Sequence, residues 1–199
     1  MSDTFESQDH SQFPLKSDYQ FKLYTMSLTK LRLMMFFTLG LYALVWFYSH
    51  WRKIKTNQSE WNHIWPVPRA IFSIFFTYSL FREIDNHLEL GEKPYKWSFE
   101  TNAWIFIITS IIFNVAGYFE GEGVDPIFTI LLIVLPLAVF IITMSKAQEA
   151  ANVAAEDPTG AANAGFTLFN YIFIFLGTIF WLGMLITVPT LLLDSTPPI

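Results

Sequence analysis

Five stretches of this chain contain no Asp, Glu, Lys or Arg: residues 33–51, 70–81, 101–119, 126–145 and 158–193. They hold 19, 12, 19, 20 and 36 residues, so 106 of the 199 positions lie in uncharged runs. A bilayer demands such segregation, because an ionised side chain is costly in hydrocarbon. Charged residues make up 15% of the chain, against about 25% in an average soluble domain. The pattern excludes an ordinary soluble domain and a disordered acidic protein. The absence of Cys excludes a disulfide scaffold. The expectation is an all-α integral membrane helical bundle of about five apolar helices, with four clear transmembrane spans and a short second segment. A polar N-terminal tail over 1–26, disordered over 1–20, precedes a helical membrane domain over 27–194, and 195–199 form a C-terminal tail.

The first segment, Leu33–Trp51, has 19 residues, roughly 28 Å of helix and close to the hydrocarbon thickness. Ser27 stands where an N-cap belongs, after a short extended lead-in at 21–26. The second segment has only 12 uncharged residues between Arg69 and Arg82. It crosses only if Pro68 starts its helix and both arginines snorkel. Segment three is Thr101–Phe119. Segment four runs from Pro126 to Met144, with a kink expected at Pro136, and its helix continues past Lys146 until Pro158. A small-residue loop at 158–165 leads into segment five, about Phe166–Leu193. The polar N-terminus has no basic region followed by an apolar core, so no cleavable signal peptide is expected.

Lys and Arg counts orient such a chain. The N-terminal part through Arg32 has four, 49–69 has four, 82–100 has three, 145–165 has one, and 118–125 and the C-tail have none. The sides hold eight and four whether or not segment two crosses, so the counts leave that segment undecided. Either way 82–100 and 145–165 are cytoplasmic, while 118–125 and the C-terminus are outside. The N-terminus is cytoplasmic if 70–81 spans. In that preferred arrangement residues 5 and 55 lie on opposite sides.

Chemistry-bearing motifs are scarce. There is no phosphate-binding loop, no nucleophile elbow and no HExxH. His50, His63, His87 and Asp85 form a conceivable cluster, but their spacing matches no standard zinc pattern. No catalytic residue, metal or cofactor is expected. The polar residues within the spans are neutral, chiefly Asn114, Asn170 and Thr38. Asn114 and Asn170 are expected to pack helices together rather than contact substrate. Small residues, including Ala147, Ala151 and Ala155, suit close helix contacts. Trp46, Trp51, Arg52, Lys53, Lys55, Trp61, Trp65, Arg69 and Arg82 suit the lipid headgroup level. A net charge of −5 gives no basic face for nucleic acid.

The runs TLGLYALVWFYSHWRKIK and WPVPRAIFSIFFTYSLFREI carry a resemblance. Gly40-Leu41-Tyr42 precedes Trp46-Phe47-Tyr48 and a basic tail. Pro68-Arg69-Ala70 opens a second piece that closes in Tyr78-Ser79-Leu80-Phe81-Arg82, and 169–183 forms a later aromatic span. Over roughly 21–190 the chain resembles a family of small bacterial multi-pass membrane proteins of unknown function. The resemblance implies a bacterial inner membrane and brings no activity or site. The function expected is that of a non-catalytic interaction, accessory or immunity-type protein working through helix or lipid contacts. Its partners are the bilayer and either a membrane protein or further copies of the chain. The alternatives are a small oligomeric transporter or channel, and a membrane-embedded enzyme acting on lipid.

Overall fold

The structure, a computed structural model, describes residues 23–116 and 126–194. The described residues form seven α-helices and no strand: α1 (Leu28–Phe37), α2 (Tyr42–Asn57), α3 (Pro66–Ile71), α4 (Ser73–Leu90), α5 (Phe99–Ala116), α6 (Pro126–Ala154) and α7 (Leu168–Asp194). Among them only two, over Ile130–Ala154 and Leu168–Ile186, are long and apolar enough to cross a membrane, rather than the four or five expected. The tail 1–22, the acidic loop 118–125 and the C-tail lie outside the described residues. Residues 23–26, assigned to the tail by composition, belong to the folded body: Leu23 and Met26 are buried.

The first segment is not one helix. Ser27 caps α1 as expected, its hydroxyl accepting from the Lys30 amide at 3.3 Å. Ten residues later α1 stops. Leu39 and Gly40 adopt left-handed conformations, φ 52° and 85°, and the Gly40 amide returns to the Met35 carbonyl at 2.8 Å. That is the helix-ending geometry glycine favours. The Thr38 hydroxyl then receives the Tyr42 amide at 3.0 Å and starts α2. Hydropathy sees an unbroken apolar run here, but the backbone turns a corner.

The second segment breaks as well. α3 opens at Pro66, where a missing N–H costs nothing. Phe72 then leaves helical geometry (φ −95°, ψ 37°), and α4 starts at Ser73. Residues 70–81 are thus split between two helices. The short second segment and much of the first form two bent pairs, α1–α2 and α3–α4, each with an apolar elbow.

α6 is the axis on which these pairs assemble. Its 29 residues give about 44 Å of helix, running through Lys146 as the sequence implies. Its C-terminal half carries Ala147, Ala150 and Ala151, all fully buried, and their small size lets neighbouring helices close in. Met34 and Met35 of α1, Trp46, Phe47 and Trp51 of α2, and Leu80, Phe81 and Ile84 of α4 fill one core around them. At about 25 cal/mol per Å² of apolar area removed from water, this aromatic cluster dominates the packing energy. α7 lies along α1. A Cβ on Gly177 would run into the Phe37 carbonyl, and the Trp181 ring stacks on Phe36 with centroids 4.7 Å apart.

Candidate functional site

The molecule has two unlike ends. At one, the buried half of α6 holds a polar latch. Gln148 Oε1 accepts from the Trp46 indole at 2.5 Å, and its amide nitrogen donates to the Tyr24 carbonyl at 3.0 Å and to Asn152 Oδ1 at 2.7 Å. Asn152 pairs with both backbone groups of Met26, receiving its amide at 3.1 Å and donating to its carbonyl at 2.9 Å. The Asn163 amide donates to the Tyr24 hydroxyl at 2.7 Å, and its Oδ1 accepts from Lys30 Nζ at 2.7 Å. Residues 23–26 are thereby stitched to α6 and to the loop after it. A polar group is buried cheaply only when paired, and Gln148 and Asn152 are both 0% exposed.

The same end carries the charge. The amides of Ala161 and Ala162 donate to the Asp157 carboxylate at 2.8 and 3.1 Å. Burial pushes that carboxyl up, but the Ala162 and Ala161 amides outweigh it and hold it below its ordinary range. Lys93 meets Glu156 at 2.6 Å and lowers that carboxyl too, through a hydrogen bond and its charge. Burial, with Glu149 beside it, pushes the Tyr95 hydroxyl up to about 12.

The residues expected at headgroup level divide. Arg52, Lys53 and Arg82 are exposed, and Trp65 is 74% exposed. Lys55 donates to the Ile64 carbonyl at 3.0 Å. Arg69 lies 4.4 Å from the ring centre of Trp51, 5.2 Å from that of Trp61 and 4.9 Å from that of Phe76. Trp46 and Trp51 instead point inward and are fully buried: Trp46 faces Phe81 of α4 and Gln148 of α6, and Trp51 lies against Trp61 and Arg69, where α2 packs on α3.

The two asparagines expected to join helices do not do so through the bonds seen. Asn114 donates to the Ser110 carbonyl of its own helix at 2.8 Å. Asn170 receives the Thr167 amide at 2.9 Å and hydroxyl at 3.0 Å, and so caps the start of α7. Among the amide side chains, Gln148, Asn152 and Asn163 do join elements, and sequence reasoning missed them. Their one signal was a pair of amides at i, i+4 among alanines.

The histidines and Asp85 do not converge. His50 Nε2 lies 3.4 Å from Gln148 Oε1. His87 Nε2 meets Gln58 at 2.9 Å, and Asp85 accepts from the Trp97 indole at 2.8 Å. His63 stacks on Trp61. No set of three or more His, Cys, Asp or Glu among the described residues is grouped to hold a metal.

At the other end apolar surface is exposed. Along α7, Phe175 is 65% exposed and Leu185 69%. The elbows do likewise: Leu41 is 70% exposed and Phe75 77%. Both elbows reach the same level of α5 and α6. A Cβ on Gly40 would lie 3.4 Å from the Phe140 ring. Between the elbows and the two longer helices lies a cavity of about 590 Å³. Leu41, Leu44 and Ile74 roof it, and Ser110, Asn114, Pro136 and Leu137 wall it. None of its lining residues is ionisable. Pro136 and Asn114 thus share one groove, while Asn170 sits away from it at the head of α7. Comparison with protein-family models, with curated proteins and with solved structures finds no match to this chain.

Proposed function

We propose that the chain is a multi-pass integral membrane protein in which α6 and α7, the two helices long and apolar enough, and the shorter apolar α5 cross the bilayer. The pairs α1–α2 and α3–α4 enter from the cationic side and turn back midway. The supporting observation is segregation. Lys30, Arg32, Arg52, Lys53, Lys55, Arg69, Arg82, Lys93, Lys96 and Lys146, the ten cations of the described residues, all precede or follow the apolar parts on the latch side. The elbows and the outer halves of α5, α6 and α7, among the described side chains, carry exposed apolar surface and no Lys or Arg. Irregular backbone at membrane depth is tolerated where protein shields it, and the Leu39–Gly40 turn rests on Phe140 and Leu137.

This arrangement removes the tie in the cation counts. With neither early segment crossing, residue 23 and the loops at 58–65, 91–98 and 155–167 share one side. The positive-inside rule makes that side cytoplasmic. Three crossings leave the C-terminus outside. The resemblance supports a bacterial inner membrane as its home. Within it the protein acts without catalysis, through lipid and helix contacts, as an accessory or interaction component. The groove shared by Asn114 and Pro136 favours a small oligomeric transporter as the second reading.

The chain has no Cys, so single cysteines report without background. In sealed vesicles, Ser59→Cys, Glu92→Cys and Thr159→Cys are expected to react with an impermeant maleimide from one side, and Glu122→Cys from the other. Labelling of Ser59→Cys from the Glu122 side would show that α1–α2 crosses and would overturn the arrangement.

A further inference from the structure

We propose that the groove beneath the two elbows holds an acyl chain of a phospholipid from the leaflet opposite the cationic end. The inference rests on the membrane reading above. Elbows that turn back midway leave the far half of the bilayer beside α5 and α6 unfilled by α1–α4. Hydrocarbon has to occupy that space, because an apolar void in a bilayer forfeits its dispersion contacts.

Three observations select the occupant. First, the volume, about 590 Å³, lies within the range of ligand sites, roughly 300–1,000 Å³. Second, the surface presented is mainly apolar, with Ser73, Thr109, Ser110 and Asn114 as its polar side chains. The Ser110 hydroxyl is already bonded to the Phe106 carbonyl at 2.8 Å, and no lining residue ionises, so nothing in the groove attracts an ion or a charged solute. Third, the polar contact available sits at the outer mouth. Asn114 is the sixteenth residue of α5, about 24 Å along it, near the depth of the far ester groups. One of its two amide hydrogens goes to the Ser110 carbonyl, and the other is available to a lipid ester carbonyl. The chain then runs from Asn114 toward Leu41, Leu44 and Ile74. The mouth is continuous with the exposed apolar faces of Ile111 and Leu135, so the lipid enters sideways.

The test uses the full chain in vesicles of palmitoyl-oleoyl phosphatidylethanolamine and phosphatidylglycerol. A trace of phosphatidylcholine with a diazirine at one acyl terminus is included. On irradiation, adducts are expected at Leu41, Leu44 or Ile74, above the level per residue on the outward face of α7. Ser110→Phe fills the groove and is expected to lower those adducts about tenfold. Leu44→Trp fills it from the elbow side with the same effect, and serves if Ser110→Phe loses its helical circular dichroism. Leu182→Phe, exposed on α7 and outside the groove, leaves the adducts unchanged. Adducts at the elbows that match those on α7 and ignore both filling variants overturn the proposal. So do disulfide-linked dimers of Leu44→Cys without groove adducts, which would place a second copy there. If α7 gains no adducts either and alkaline carbonate extracts the chain, the membrane reading itself has failed.

Discussion

The bond between Asn152 and Met26 decides whether residues 23–26 stay on the body, and Asn152→Leu tests it with little change in volume. The wild-type side chain pairs with the Met26 amide at 3.1 Å and its carbonyl at 2.9 Å, both buried. Leucine offers neither partner. An orphaned buried backbone group costs about 1–3 kcal/mol, so two cost about 2–6 kcal/mol if the segment stays docked. The cheaper response is release of 23–26, which instead exposes Leu23 and Met26. At 1.4 kcal/mol per tenfold, even the lower bound predicts Met26 amide exchange faster by about 30-fold. Hydrogen exchange read by mass spectrometry on a peptide spanning 23–31 measures this, because the latch lies outside the proposed bilayer. Asn114→Leu is the control, since its bond stays within one helix at an exposed position. A Met26 amide that exchanges as slowly in Asn152→Leu as in the parent refutes the reasoning.

Two further outcomes follow from the packing and the charges. Gly177→Ala drives a Cβ into the Phe37 backbone and is expected to destabilise by about 1–3 kcal/mol. Gly183→Ala, whose Cβ meets nothing within 4 Å, is expected to be neutral or slightly stabilising, and thermal unfolding in detergent separates the two. Asp157 has a folded value below its unfolded one. Its contribution is therefore full above the unfolded value and is lost as pH falls through the folded one. Protection of the 157–165 loop amides, taken relative to the intrinsic exchange rate at each pH, is expected to fall between neutral pH and about pH 3. Asp157→Asn should flatten that dependence, by less than about 1 kcal/mol at so exposed a group.

Much of the helical architecture was legible in the residues. The Ser27 cap, the continuation of α6 past Lys146 and the turn after Pro158 all follow from local chemistry that one sequence displays. The two elbows were not legible as turns. Gly40 stands inside the apolar run, but hydropathy carries no information on the sign of φ, and Leu39 is an unusual residue for a left-handed position. The Trp46–Trp51 run followed by cations reads equally well as a membrane boundary or as the aromatic face of a packed helix. Only the tertiary position of α2 decides between them. Gln148 and Asn152 look like surface amides on an Ala-rich helix, and become central only once residues 23–26 return to them.

That return sets an order of assembly. Met26 pairs with a residue 126 positions later, and Lys30 with one 133 positions later. At about 5–20 residues per second, synthesis takes roughly 6–25 s to supply the first of these partners. During that interval the Met26 backbone groups and the Lys30 ammonium lack the seats they finally occupy. The α1–α2 pair therefore takes its final seat late, after α6 has been made, and the placement of the N-terminal third is settled by the C-terminal third.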